Sequence, residues 1–249
     1  MPLKEDLLIQ QVLGYRKLQP RIGARKLLCL LSPFMRQHGL ETGRDAFFRL
    51  LGRYGLLNRR KRCKPRTTDS GHWLKKYPDL IKGLPGPERP GRLWVSDITY
   101  LRLRKGDAFL SLVTDAYSRK IMGFHISDSL GATGSVQALE RAIAGGINHQ
   151  GLIHHSDRGV QYCSKDYVGV LESNGIHISM TQSGDPRDNA IAERVNGILK
   201  TELLKPIFND LDDARTSVTK AIGIYNYLRP HSSLSMLTTR TCTFQKTES

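Results

Sequence analysis

A chain of 249 residues with a formal charge of +15 is long enough to bury a large core and too cationic to be indifferent to polyanions. No apolar run approaches the ~18 residues of a membrane span, and the start, MPLKEDLLIQQ, has no apolar stretch leading to a small-residue cleavage site, so neither a membrane protein nor an exported one is expected and a cytoplasmic location is. The charge is unevenly placed: residues 1–92 carry 21 Lys and Arg against 7 Asp and Glu, net +14, while residues 93–249 carry 17 against 16, net +1. The first third is therefore the part suited to a polyanionic partner such as nucleic acid.

From Ile22 to His38, the apolar residues Ile22, Leu27, Leu28, Leu30, Leu31, Phe34 and Met35 recur at helical spacing, with Pro33 expected to kink or split the element and Gly39 to stop it. A second helix is predicted to begin with Thr42 and Asp45 in a capping-box arrangement, to bury Phe47, Phe48, Leu50, Leu51 and Tyr54, and to close at Gly55. Two short helices joined by a tight turn, the second carrying Arg44, Arg49 and Arg53, have the outline of a helix-turn-helix DNA-binding module. The basic stretch NRRKRCKPRTTDSG follows, and its Arg59, Arg60, Lys61 and Arg62 are expected to lie along phosphates. KGLPGPERPG at 82–91 closes this region. The expected organisation is a helix-turn-helix domain at 1–60, a basic linker at 61–91, a second domain at 92–240 and a tail at 241–249.

Past the linker the period changes to two. RLWVSDITYLRL places Trp94, Ser96, Ile98 and Tyr100 on one face and Val95, Asp97, Thr99 and Leu101 on the other, as a strand does. AFLSLVTDA and KIMGFHIS read as two further strands after short turns, TGSVQALERAIAGGI as a helix, GLIHHSD as a short buried strand, SKDYVGVLESNGI as a helix and HISMT as a last strand. GDPRDNAIAERVNGILK and LDDARTSVTKAIGIYNYLRP end the series as helices. Three strands, helix, strand, helix, strand, helix describes an α/β fold, a mixed sheet flanked by helices. Cys29, Cys63, Cys163 and Cys242 form no C-x-x-C pair, which argues against a disulfide framework and against structural zinc.

Three acids stand out. Asp97 lies mid-strand among Val95, Ile98 and Leu101, where a carboxylate is costly without a partner. Asp157 follows an apolar strand at its carboxyl end, where α/β proteins tend to place sites. In the helix that Asp188 can cap, Asn189, Glu193, Asn196 and Lys200 recur at i, i+4, i+7 and i+11 on one face, with Ile191, Val195, Ile198 and Leu199 broadly opposite. If the three carboxylates converge, they cannot share a pocket cheaply without divalent cations, and oxygen-only ligands suit Mg²⁺ or Mn²⁺. Asp115 is read as a turn former, His154 and His155 as one packed residue and one at the rim, and Trp94 and Tyr100 as core. The Arg-Pro-His at 229–231 is expected to hold the tail against the Glu193 helix.

These segments carry a resemblance. WVSDITYL, HHSDRGVQY and GDPRDNAIAERVNGILKTEL, with 35 residues between Asp157 and Glu193, resemble the Asp-Asp-Glu signature of retroviral-integrase-like transposases. The nearest likeness is to the second-frame product of the insertion-sequence-three family, whose basic residue seven positions after the Glu is matched by Lys200 and whose closing motif is matched by YNYLRPHSSL at 225–234. The resemblance implies a ribonuclease-H-like fold. It also implies a two-metal mechanism, with Mg²⁺ or Mn²⁺ held by Asp97, Asp157 and Glu193, that cuts and joins double-stranded DNA at the ends of an insertion sequence and its target. Asn189, Asn196 and Lys200 would then touch the DNA backbone near the cut, and at least a dimer would act on DNA. The family's upstream frame supplies a leucine-repeat helix that this chain lacks, so manufacture as a fusion with that product is also implied. SMLTTRTCTFQKTES departs from the family pattern and is expected to fray. A non-catalytic DNA-binding regulator or inhibitor of transposition and a simple metal-dependent nuclease are the rival readings.

Overall fold

The computed structural model describes residues 2–58, 73–145, 149–182 and 189–244. Its centre is β1 (Leu93–Arg102), which pairs antiparallel with β2 (Asp107–Asp115), itself antiparallel to β3 (Ile121–Ser127). On the other side of β1, β4 (Ile153–Ser156) and then β5 (His177–Met180) add in parallel, giving the order β3-β2-β1-β4-β5. The two connections that reach parallel strands each contain a helix, as such crossovers require: α4 (Ala132–Ile143) between β3 and β4, and α5 (Lys165–Ser173) between β4 and β5.

The alternation in β1 separates two cores. Trp94 points into one with Val113, Leu139, Leu171 and Ile178, beneath α4 and α5. Leu101 points into the other with Leu110, Leu112, Val195, Val218 and Ile222, beneath α6 (Ala190–Ile198) and α7 (Leu211–Tyr227). Helix α4 sits directly on β3 because residue 123 is glycine: a Cβ there would lie 2.1 Å from the Ala138 carbonyl oxygen. Past α6 the chain continues as a single π-helical turn, Leu199–Leu203, closed by the Leu204 amide donating to the Leu199 carbonyl at 2.8 Å.

The N-terminal segment is three helices around its own core of Leu8, Val12, Leu27, Leu31, Phe47 and Leu51. The first, α1 (Pro2–Leu18), lies ahead of the helical pattern that the sequence shows from Ile22 onward. The second, α2 (Ala24–Gln37), runs unbroken through Pro33, against the expected kink or split. The Ser32 hydroxyl donates to the Leu28 carbonyl at 2.8 Å, and the Pro33 ring costs one backbone bond that the packing of Leu27, Leu31 and Met35 outweighs. The third, α3 (Arg44–Arg53), starts at Gly43 without a side-chain cap. The expected capping box does not form because the Asp45 carboxylate pairs with Arg44 at 2.8 Å instead. Gly39 and Gly55 both take positive φ, as helix stops do.

The described part of the expected linker is not a free spacer. Leu74 and Tyr77 join the core beneath α4 and α5, the Met180 amide donates to the Pro78 carbonyl at 3.1 Å, and the Leu80 amide donates to Ser179 Oγ at 2.9 Å. Pro78 and Leu80 thus lie along the outer edge of β5, which would otherwise present open hydrogen-bonding groups. Nor does the start of the tail fray: α8 (Thr239–Phe244) is pinned by buried Thr239, whose hydroxyl donates to the Asn226 carbonyl at 2.8 Å. Arg59, Arg60, Lys61, Arg62 and Asp188 lie outside the described residues.

Candidate active site

Parallel pairing aligns Val95 of β1 with His155 of β4. Two residues further along come Asp97, within β1, and Asp157, just past the end of β4, close enough that the charge of Asp157 acts on Asp97. Neighbouring strands lie about 4.8 Å apart, so the register carries both acids to the same edge of the sheet. Asp157 is held by its own loop, with the Gly159 amide donating to its Oδ1 at 3.0 Å. Asp97 accepts from the Ile98 amide at 2.9 Å and from Asn196 Nδ2 at 2.7 Å. Burial pushes the Asp97 carboxyl up to about 7, helped by the charges of Asp157 and, more weakly, Glu193; the Asn196 and Ile98 donors work against the rise. Glu193 lies on an exposed position of α6. Among the described residues no three His, Cys, Asp or Glu side chains are gathered tightly enough to hold a metal ion.

The polar stripe of α6 turns out to be the seam by which the helix joins β1. Asn189 Nδ2 donates to the Ser96 carbonyl at 2.8 Å, Asn196 Nδ2 to Asp97, and Lys200 Nζ to Thr99 Oγ1 at 3.0 Å. Asn189 and Asn196 are 8% and 5% exposed, so both face the strand and not, as the sequence suggests, DNA; Lys200 keeps an exposed position. Periodicity identifies the stripe correctly but cannot say that its partner is protein. A polar residue bonded to a strand carbonyl looks the same in sequence as one bonded to water.

Beneath Asp97, on the opposite face of the sheet, lies a polar network that sequence reasoning missed. His154 Nε2 meets Ser96 Oγ at 2.7 Å and the Tyr167 hydroxyl at 2.9 Å. Burial, then the neighbouring His155, lowers His154 to about 3. On the other face, the one that carries Asp97, His155 Nδ1 meets Ser179 Oγ at 2.9 Å. Both histidines are fully buried, so the expectation that one lies at the rim is corrected: β4 is interior to the sheet and covered on both faces. Asp115 is a turn former, as read: its Oδ1 accepts from the Ser118 amide and hydroxyl at 2.7 and 2.8 Å, and its Oδ2 from the Gly91 amide at 2.8 Å.

A second polar centre lies where α6 runs on into its π turn. Glu202 receives a bidentate pair from Arg229, both bonds 2.9 Å, and Lys26 of α2 at 3.0 and 3.1 Å. Burial alone would raise the Glu202 carboxyl, but the Arg229 and Lys26 bonds and charges hold it below its usual range. His231 reaches the Tyr225 carbonyl at 3.1 Å. The Arg-Pro-His segment therefore does clamp the chain after the Glu193 helix. In the N-terminal helices, Arg53 pairs with Glu5 at 2.7 Å and Arg44 with Asp45; Arg49 is exposed.

The sheet, in the order β3-β2-β1-β4-β5, thus carries one acid in the middle of β1 and another just past the end of the parallel β4. Two family models described as integrase core domain match residues 87–186 and 174–238. A protein named as a transposase for insertion sequence element IS986/IS6110 of Mycobacterium tuberculosis (strain H37Ra) is 34% identical, over 83% of this chain and 76% of that protein. The transposase InsF for insertion sequence IS3A of Escherichia coli K12 is 32% identical, over 88% of this chain and 75% of that one. Among solved structures, the simian T-cell lymphotropic virus intasome bound to the PP2A regulatory subunit B56 gamma is similar in fold, with 18% identity, TM-score 0.55, 91% of this chain and 72% of that chain covered. The catalytic core of HTLV-2 integrase in complex with magnesium, in its trimeric form, gives 21% identity and TM-score 0.50, over 63% of this chain and 98% of that one. The chain belongs to the integrase-core transposases of the insertion-sequence-three family, and its function is DNA transposition.

Proposed function

We propose that Asp97, Asp157 and Glu193 are the catalytic carboxylates with which this transposase cuts and joins DNA at the ends of its element. The observation that carries this reading is the parallel register of β1 and β4, which brings Asp97 and Asp157 to one edge of the sheet beside the helix that bears Glu193. The donor set suits a divalent cation: it is all carboxylate oxygen, and the mutual repulsion felt at Asp97 is what a bound cation relieves. Magnesium or manganese, two ions in the family's pattern, would supply charge neutralisation at the phosphodiester and an activated attacking oxygen. The chain's own part is positional. Asn196 and the Ile98 amide fix the Asp97 carboxylate, the Gly159 amide fixes Asp157, and the α6–β1 seam sets the height of Glu193 above the sheet.

The three-helix N-terminal module binds element ends, with Arg49 and the basic residues Arg59, Arg60, Lys61 and Arg62 on phosphates and Arg44 and Arg53 released from their exposed pairs with Asp45 and Glu5. Because two ends must be handled together, the active species is at least a dimer on DNA. The test is joining of pre-cleaved element ends with Mg²⁺ or Mn²⁺. D97N, D157N and E193Q each abolish joining while leaving end binding intact; joining that survives in any of the three removes that residue from the set. Pre-cleaved ends separate a transposase, which joins them, from a nuclease, which does not.

A further inference from the structure

Behind the helix that carries Glu193 is a cavity of about 240 Å³ whose wall is one-sided in charge: Lys26, Arg119, Arg194 and Arg229 line it together with Ser232 and Ser233. The four cations come from four separate segments, α2, the β2–β3 turn, α6 and the loop after α7. One carboxylate, Glu202, serves both Lys26 and Arg229. Arg119 Nη1 is buried with no hydrogen-bond partner, and the nearby Asp115 already receives Gly91 and Ser118. Arg194, although at the surface, has no ion pair among the described residues. The charges share one field: Arg229 and Arg194 both oppose the charge on Lys26, and Arg119, Arg194 and Arg229 all act on Tyr225.

A cluster of four cations against two acids, Glu202 and Asp115, beside two hydroxyls, favours entry of an anion, and a phosphate group is the anion that guanidinium forks and hydroxyls suit. The cavity, at about 240 Å³, has room for such a group. Its position selects the source. Ala190, Ile191, Arg194 and Ile198 line the cavity while Asn189 and Asn196 turn to β1, so the cavity and the β1 carboxylate lie on two sides of one helix, separated by roughly its 10 Å diameter, a distance that a DNA strand crosses in two or three nucleotides. Arg119 is held at φ 62, a backbone region that a side chain of its kind seldom adopts, so the turn itself aims it at this wall.

We propose that this cavity binds one backbone phosphate of the DNA strand as it leaves the catalytic carboxylates. The proposal rests on the reading of α6 as the catalytic helix. The experiment is the salt dependence of binding to a duplex carrying the element end, measured without divalent cations for the wild type, R119N, R194Q and the double variant. Asparagine is chosen at 119 because it tolerates positive φ. Each phosphate contact contributes about 0.9 to the slope of log Kd against log salt. Each single variant is expected to make the slope shallower by close to one, and the double variant by no more than that, because both residues hold the same phosphate. Lys220→Gln, an exposed position on α7, reports what loss of a distant charge does and leaves the slope unchanged. A double variant with the wild-type slope overturns the proposal, as does one that behaves like K220Q. If R119N fails to fold by thermal melting, R194Q carries the test alone. Inorganic phosphate is the second probe: if it raises the melting temperature of the wild type but not of R194Q, while the DNA slope stays the same in both, the site takes a free anion and the DNA assignment falls. The two readings fail separately. Joining that survives in D97N with the slope change intact removes only the carboxylate assignment, and an unchanged slope with joining lost in D97N removes only this pocket.

Discussion

Asp97→Asn is expected to stabilise the cation-free protein while destroying joining. The carboxyl at 97 is raised from the usual 3.8 to about 7, and at about 1.4 kcal/mol per pKa unit keeping it charged costs the fold about 4 kcal/mol as an upper bound. Asparagine keeps the shape and removes the charge. The hydrogen bonds survive because Asn196 Oδ1 has no partner: a turn of the Asn196 amide presents that oxygen to the new NH₂ group, leaving the oxygen of the substituted side chain for the Ile98 amide. After relaxation and water reorganisation, a gain of about 1–3 kcal/mol remains, a rise of several degrees in Tm for a chain of this size. The sign with pH follows. A carboxyl raised in the fold costs nothing below its unfolded value, and the cost grows as pH climbs from 3.8 to about 7. The gap between D97N and wild type is therefore larger at about pH 8 than at about pH 5. Thermal unfolding in EDTA measures it, and added Mg²⁺ raises the wild-type Tm more than that of D97N. A variant less stable than wild type in EDTA, or a gap independent of pH, refutes the reasoning.

Glu202→Gln leaves Arg229 and Lys26 facing each other without their shared carboxylate, and is expected to cost about 3–5 kcal/mol in urea unfolding; a loss below about 1 kcal/mol would show the pair to be solvent-compensated. Because Glu202 is held below its usual range, its contribution is complete at neutral pH and is lost only as pH falls through that depressed value. Gly123→Ala drives a methyl into the Ala138 carbonyl, with an expected loss of about 3 kcal/mol from overpacking; an unchanged urea midpoint would mean that α4 can lift off β3. Acidification from about pH 7 to pH 5 is expected to destabilise D97N by about 2 kcal/mol for each of His154 and His231, whose folded values of about 3 and 4 keep them neutral where the unfolded chain takes up protons. The D97N background removes the opposing contribution of Asp97, and H154F should halve the effect.

The elements of the sheet were legible because β1 alternates in sequence and β2 to β5 are short segments bounded by turn signals. Asp97 and Asp157 were legible for a related reason: each is an acid placed where the pattern calls for an apolar residue or a strand end. What was hidden is whatever depends on a partner distant in sequence. Asn189 and Asn196 read as outward-facing because nothing in the α6 stripe announces that β1 lies against it. The capping box at Thr42 was a valid local pattern defeated by a nearer cation, Arg44. Pro33 was overridden by burial, which local propensity does not contain. The Arg-Pro-His at 229–231 announces a clamp on the Glu193 helix, but Lys26 and Glu202 look like ordinary surface charges, and only the fold reveals that the three meet.

That meeting orders events during synthesis. Lys26 leaves the ribosome early, Glu202 some 176 residues later, and Arg229 another 27 after that. The N-terminal helices can complete their own core at once, yet among the described residues their hydrogen bonds to the sheet-bearing body are to Thr201 and Glu202, which emerge late. A product cut short before residue 201 would carry a folded but unmoored N-terminal head.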